Sequence, residues 1–314
     1  MRSRYPPAVT VPAVTVVPAT GFTAVQPAVR ALDQAATEAD GYPSLNEAVW
    51  RDLDHDDPDS AGFLLDGRAY AHVARSDNFA PRHWALGCVV APEARVDGVA
   101  RTAVLRAALN HVREHGGGRV VFWLLGAATA DDTALGELTL EPDRDLYEMR
   151  VPLPLDETPR WPPSVEVRTF EPGRDEHAWL DVNNRAFANH AEQGGWIEET
   201  LHRRMEEPWF DPTLFFLAFD AKGLAGFNWL KIHDAHGRDP RLGEIFVIGV
   251  DPRMQGSGLG RALAVHGLAA VHDRGIDTGS LFVAAENAGA VHLYRSLGFD
   301  IHRTDRAYET EVAP

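Results

Sequence analysis

Two stretches of the chain, CVVAPEARVDGVAR (88–101) and IGVDPRMQGSGLGR (248–261), can be laid one over the other at a constant spacing. Val90 falls on Val250, Pro92 on Pro252, Gly98 on Gly258 and Arg101 on Arg261, each pair 160 residues apart, as 250 minus 90 gives. One copy in each half, about a domain apart, favours a duplicated fold. The 314 residues, 45% of them hydrophobic, supply enough apolar material to pack two cores. On both sides of the midpoint the chain reads as mixed strand and helix. LFFLAFD, EIFVIGV and GSLFVAA look like short buried strands, while LHRRMEEPWF and RALAVHGLAAVHDRG have helical character. VPLPLDETPRWPP (151–163) interrupts the chain with prolines and polar residues and suits an extended linker or strand between domains 1–152 and 153–314. At the N-terminus, Pro6, Pro7, Pro12 and Pro18 interrupt the apolar run before it can form the helix of a signal sequence. Residues 1–20 are therefore expected to form a Pro-rich arm leading into an edge strand, and no apolar stretch is long enough to span a bilayer.

Charge narrows the partners. A formal net charge of -16 argues against nucleic acid or an anionic membrane, both of which require a basic surface, and leaves room for a ligand that carries an amine. The single cysteine, Cys88, cannot form an internal disulfide, which fits a reducing compartment, so a cytoplasmic protein is expected. Cys88 reads as a small core residue rather than a nucleophile. No metal is expected: His111 and His115 are four apart on an expected helix, but nothing completes a site. DLDHDDPDS (52–60) lacks the central glycine and terminal glutamate of a calcium loop.

QGSGLG (255–260) follows the strand-forming EIFVIGVDP and precedes a helix-forming run. A strand, a glycine loop and a helix in that order put consecutive backbone N–H groups at the positive end of a helix dipole, where glycines let a phosphate approach the main chain. No Lys-Ser or Lys-Thr follows, so this is not a P-loop, and the first glycine of a dinucleotide fingerprint is missing. Taken alone, the arrangement is explained equally well by tight packing. Downstream, LFVAAENAGAVHLYRSLGF (281–299) reads as a strand, Asn287 as a helix N-cap, a short helix carrying Tyr294, and a stop at Gly298.

Gln-x-x-Gly-x-Gly followed by Asn-x-x-Ala-x-x-x-Tyr-x-x-x-Gly-Phe resembles the GCN5-related N-acetyltransferase family. The resemblance implies an α/β (α+β) chain of two tandem domains, each a mixed, mainly antiparallel sheet flanked by helices. Two central strands would splay apart to admit acetyl-CoA, with its pyrophosphate on loop 255–260. VNNRAFANHAEQGGW (182–196), EPWFDPTLFFLAFD (207–220) and GFNWLKIH (226–233) resemble the tandem-domain branch of the family that completes mycothiol, acetylating the cysteinyl amine of cysteinyl-glucosaminyl-inositol.

That resemblance assigns roles. Glu244 is the expected base for the ammonium and Tyr294 the acid for the coenzyme A thiolate. Ile248, Gly249 and Val250 would pair with the pantetheine arm. Gln255, Gly256, Ser257, Gly258, Leu259, Gly260 and Arg261 would hold the phosphates, and Asn287, Ala288, Gly289, Ala290, Val291 and His292 would complete the coenzyme site. Glu47, Glu192, Lys231, Glu244 and Phe282 are expected to face the acceptor; Phe282 stands where the family places a tyrosine.

The N-terminal half reads as silent in chemistry. The residue 160 before Glu244 is Trp84, and ALGELTLE (134–141) offers no phenol where a tyrosine-bearing helix is expected. Its loop is a degraded anion cradle, in which Cys88, Val89, Val90, Val96, Asp97, Gly98, Val99, Ala100 and Arg101 would retain a second acetyl-CoA or serve as scaffold. A duplicated chain supplies its own pseudo-dimer interface, so a monomer is expected. Two other readings stay open: acetylation of a different small amine, and a non-catalytic acetyl-CoA-binding module.

Overall fold

A computed structural model describes residues 13–55, 59–76, 83–188, 193–235 and 239–314. The chain divides into two compact units, one running to Arg144 and taking in Asp305–Pro314, the other Asp145–Thr304. The first unit contains β1 (Thr15–Pro18), α1 (Phe22–Asp40), α2 (Glu47–His55), β2 (Ser60–Leu65), β3 (Ala69–Ser76), β4 (His83–Val90), α3 (Val99–Glu114), β5 (Gly118–Leu124) and α4 (Thr129–Gly136). There follow β6 (Glu141–Pro152), β7 (Glu166–Thr169), α5 (Glu176–Ala186), α6 (Glu198–Met205), β8 (Phe215–Asp220) and β9 (Gly223–His233). The chain ends with β10 (Leu242–Val250), α7 (Leu259–His272), β11 (Thr278–Ala284), α8 (Ala288–Ser296) and β12 (Asp300–Val312).

The division differs from one at residue 152/153, and strand pairing gives the reason. Leu146–Pro152 of β6 pairs with β11 in the sheet of the second unit, while Arg306–Val312 of β12 pairs with β5 in the sheet of the first. Each unit thus takes its last strand from the opposite half of the sequence. The proline-rich stretch that follows β6 is bound to the second unit rather than loose. Leu153 N–H donates to the Asp277 carbonyl at 2.9 Å, Arg261 grips Glu157 at 2.8 and 2.6 Å, and Trp161 packs edge-on against His266.

Each sheet is antiparallel except at one place. In the first unit β1, β2, β3, β4 and β5 run in that order, and β4 and β5 are parallel over Trp84–Leu86 and Val120–Phe122. In the second the order is β6, β11, β10, β9, β8, β7, with β10 and β11 parallel over Gly243–Ile245 and Gly279–Leu281. β1 lies at a sheet edge, as expected of a short strand after a proline-rich arm.

The helices cover both faces of the second sheet. α7 is apolar around most of its surface because it lies flat on strands that are themselves buried; Leu268 and Val271 share a core with Leu230, Ile245 and Leu281. The opposite face is an aromatic core of Trp179, Trp196, Phe215, Phe227 and Trp229 beneath α5 and α6. Phe215 and Trp229 stack at 4.6 Å, and pairs of this kind add about 1 kcal/mol beyond the area that they bury. That core occupies one end of its face and leaves the other end to polar side chains. Among the described residues no helix is long and apolar enough to cross a membrane.

Candidate active site

β10 and β11 part after Ile245 and Leu281. β10 stays on β9 as far as Val250 and β11 stays on β6 as far as Ala284, so a split opens between them. Ile248, Gly249 and Val250 line one side of it. β10 leads through a short 3-10 turn (Pro252–Met254) to Gln255 and the glycine loop. Gly256 and Gly258 have φ of +77° and +86°, a left-handed conformation that side chains with a Cβ rarely adopt, and Gly258 caps α7. The segment Gln255–Gly258 is exposed, and the first-turn amides of α7 follow it.

α8 continues from β11. Asn287 caps it, its side-chain oxygen accepting from Ala290 N–H at 3.1 Å, and Ala288–Gly289 and His292 are exposed beside it. Arg261 has partners within the protein: besides Glu157 it donates to Ser296 Oγ at 2.6 Å, bracing the start of α7 against the end of α8. The Glu157 bond holds the Arg261 guanidinium above its ordinary pKa and lowers the Glu157 carboxyl.

The expected base and acid lie on opposite faces of the split sheet. Tyr294 is buried with Ile245, Leu281 and Leu268 on the α7 side and packs edge-on to Phe299. Burial pushes its phenol up to about 12. Glu244 faces the other way. It pairs directly with Lys231 on β9 and Ser280 on β11, and its Oε2 meets His233 Nε2 at 2.5 Å. Lys231 Nζ stands 4.8 Å from the ring centre of Trp209. Phe282 is two residues beyond Ser280 on the same face of β11, 43% exposed. The structure therefore brings together Lys231, Glu244 and Phe282. Glu192 lies outside the described residues, and Glu47 is placed only as the first residue of α2, in the other unit.

A β-bulge sets which face Glu244 takes. The register of β10 on β9 shifts between Ile245 and Val247, whereas β4 on β3 runs without a shift. Lys231 is three residues beyond Asn228, the partner of Ile248; three beyond Ala71, the partner of Cys88, is Ala74, whose own partner is Ala85. Ala85, not Trp84, therefore occupies the place of Glu244, which corrects the uniform spacing of 160 residues. Trp84 points to the α3 side, edge-on to His111, with Nε1 donating to the Gly117 carbonyl at 3.0 Å.

The first unit keeps the cleft in altered form. A cavity of ≈ 210 Å³ is lined by Cys88, Val90, Arg95, Arg101 and Asp131 among others. Gly98 has φ +67° and caps α3, followed by Val99 and Ala100, and Asp97 accepts from Val99 N–H at 3.0 Å. Val96 is almost fully exposed and Val89 is buried. Arg95, in the place of Gln255, is held bidentate by Asp40 at 2.6 and 2.8 Å, and Arg101 by Asp131 at 2.5 Å. Burial raises the Cys88 thiol to about 12, so it stays protonated and unreactive.

Two residues that contact the site, His233 and Glu157, are not among those expected from the sequence. His233 sits in GFNWLKIH two residues after Lys231, and on a strand that spacing puts both on one face; the signal was present. Glu157 was hidden inside a linker whose packing no local pattern discloses.

The family model described as "Acetyltransferase (GNAT) family" matches residues 176–299. A GCN5-related N-acetyltransferase from Sphaerobacter thermophilus has a similar structure, with a TM-score of 0.70 at 23% identity over 96% of both chains. A tandem GNAT protein from the clavulanic acid biosynthesis pathway gives 0.69 at 15% identity, covering 96% of this chain and 99% of that one. Fold and split sheet together define a chain of two tandem units with the GNAT fold. In sequence, the chain is 45% identical over 288 residues to the mycothiol acetyltransferase of Thermobispora bispora, a match that covers 90% of this chain and 95% of that protein. The chain belongs to the mycothiol acetyltransferase family.

Proposed function

We propose that the chain transfers the acetyl group of acetyl-CoA to the cysteinyl amine of 1D-myo-inositol 2-(L-cysteinylamino)-2-deoxy-α-D-glucopyranoside, giving mycothiol and coenzyme A. The observation that carries this reading is the opposed pair at the split, with buried Glu244 on one face and buried Tyr294 on the other. A thioester seated between β10 and β11 would meet an amine from the Glu244 side and lose its thiolate toward Tyr294. Backbone groups of Ile248, Gly249 and Val250 would pair with the pantetheine arm and polarise the thioester carbonyl. Amides from Gln255 to Gly260 would receive the pyrophosphate, with Asn287–His292 closing the far side.

Glu244 accepts the ammonium proton, the freed amine attacks the carbonyl carbon, and the tetrahedral intermediate collapses as sulfur leaves with the proton of Tyr294; the second nitrogen proton, lost from the intermediate, restores the neutral phenol. Tyr294 suits the acid role because burial keeps its phenol protonated through the neutral and alkaline range. On the acceptor side Lys231 offers a charge to a hydroxyl-rich ligand and Phe282 an apolar wall, and the sequence resemblance adds Glu192 and Glu47 as acceptor residues. The first unit would hold a second acetyl-CoA with no chemistry, Arg95 and Arg101 exchanging Asp40 and Asp131 for phosphate. The reading includes a cytoplasmic monomer with no metal and no nucleic-acid or membrane partner.

Incubation with acetyl-CoA and the cysteinyl pseudodisaccharide, followed by thiol release and product mass, tests it. One acetyl on the cysteinyl nitrogen is expected. Turnover only with other amines would move the assignment to another acceptor. Coenzyme binding without turnover of any amine would leave a binding module.

A further inference from the structure

Converting an ammonium to an amide removes two hydrogens from nitrogen, and only one returns to a product. The balance is R–NH3+ + CH3CO–S–CoA giving R–NH–COCH3 + HS–CoA + H+, so each turnover delivers one proton to water. Glu244 is poorly placed for that delivery, since its side chain is only 10% exposed. The imidazole of His233, at 2.5 Å, is 37% exposed and so spans the distance from the buried carboxylate to solvent. Both side chains emerge from the same face: His233 is the last residue of β9, opposite Leu242, and Glu244 is two residues further along β10.

We infer that His233 carries the proton received by Glu244 out to water. The inference rests on the reading of Glu244 as the base. His233 touches Glu244 rather than the reacting atoms, so it is a positioning and relay residue. With the ring hydrogen on Nδ1, Nε2 presents a lone pair to the protonated carboxyl. The hydrogen moves from Oε2 to Nε2, the ring becomes imidazolium, and Nδ1 releases its hydrogen to water; exchange with solvent then returns the ring to the Nδ1–H tautomer before the next turnover. Glu244 is left ionised for the next amine.

The neighbouring charges have partners of their own. Lys231 lies over Trp209, and Arg150 on β6 is bound by Glu148 at 2.6 Å and by Asp239 at 2.7 and 2.9 Å. Glu148 also binds Arg303 at 3.2 Å. Among the described residues the first unit has no counterpart of the device: counting along the unbulged strand, Ala74, Ser76 and Ala85 occupy the places of Lys231, His233 and Glu244.

The test uses the full chain with acetyl-CoA and the cysteinyl pseudodisaccharide, comparing His233→Gln and His233→Ala. Both are expected to lower kcat by about tenfold, a fraction of what general acid–base catalysis supplies, while acceptor KM and acetyl-CoA Kd stay within about twofold. Imidazole in the buffer is expected to restore His233→Ala and not His233→Gln, whose side chain fills the space. Wild-type kcat in His233→Gln, or a slow His233→Ala that imidazole leaves slow, overturns the relay. A rise in acceptor KM at constant kcat also overturns it, leaving His233 as part of the wall. Glu244→Gln separates the two readings. If that variant keeps its kcat, the base assignment fails. If it is slow while both His233 variants are fast, only the relay fails.

Discussion

At the same rung of two similar sheets, one unit carries Glu244 and the other Ala85. The difference is more than a substitution. The bulge after Ile245 turns the upstream part of β10 by one residue relative to β9, so that an acidic side chain faces the open end of the aromatic core. Without a bulge, β4 aims Trp84 at α3 and sets Ala85 opposite Ala74. A single extra residue therefore decides whether this rung offers a polar group on the face away from the helix that follows the loop. The loops differ less: Gly98 and Gly258 share the left-handed conformation and cap equivalent helices. Of the two elements, the cradle changed little and the face that would carry the chemistry changed most.

The sharpest way to break this contrast is at the rung itself. Glu244→Gln is expected to lower kcat by about 10² to 10³, with acetyl-CoA affinity unchanged. Trp84→Phe removes the bond to the Gly117 carbonyl, costs about 1 kcal/mol of stability, and should leave kcat unchanged. Thiol-release kinetics and thermal melting of both variants check the pair. Equal activity of Glu244→Gln and wild type would end the distinction between the units.

Tyr294→Phe comes next, with an expected loss of about tenfold or more in kcat. The pH profile offers a second measure. Burial raises this phenol to about 12, so its protonated form persists above the ordinary phenol value of about 10. The raised value also means that the folded state holds the proton more tightly; that contribution to stability is complete below about pH 10 and is lost as pH rises toward 12. On the alkaline side kcat should therefore show no decline through pH 10. A decline there in the wild type that is absent from Tyr294→Phe would show an ordinary phenol and remove the argument from burial.

Much of this was legible in the sequence, and the reason is local. The glycine loop, the Asn287 cap and the strands around them are set by backbone conformation and short-range periodicity, which a sequence carries openly. The duplication was legible from a few residues at one spacing. What escaped depends on pairing between distant segments. The bulge in β10 exists only against β9, so a uniform offset put Trp84 where Ala85 belongs. The exchange of β6 and β12 between sheets could not be inferred from a proline-rich midpoint, which looked like a boundary and proved to be a strand followed by a segment bound through Glu157 and Trp161.

The cradles can be compared directly by the same replacement in each. Valine at a left-handed position costs about 1 to 2 kcal/mol, so Gly258→Val and Gly98→Val should lower the melting temperature by similar amounts. Only Gly258→Val is expected to weaken productive acetyl-CoA binding, by about tenfold, the same energy expressed as affinity. Calorimetric titration of each variant alongside kinetics separates the cradles. Loss of turnover in Gly98→Val with normal binding at the other loop would mean that the first unit is no bystander.

The smallest effect is expected at Phe282, and it bears on what the second unit accepts. The ring is 43% exposed and borders Ser280 and Glu244 on one face. Phe282→Tyr adds a hydroxyl to a side chain that already faces solvent, so folding should be nearly indifferent, within about 0.5 kcal/mol as for other surface changes. If the acceptor presents a hydroxyl or amide there, the new phenol should lower acceptor KM by about two- to tenfold, the worth of one ordinary hydrogen bond, and leave the Kd for acetyl-CoA where it was. An unchanged KM would mean that the polyol end of the acceptor passes Phe282 without polar contact, and that recognition rests on Lys231 and its neighbours. A raised KM would mean that the apolar ring itself is used, and the contrast between Ala85 in the first unit and Glu244 in the second would then stop at β10.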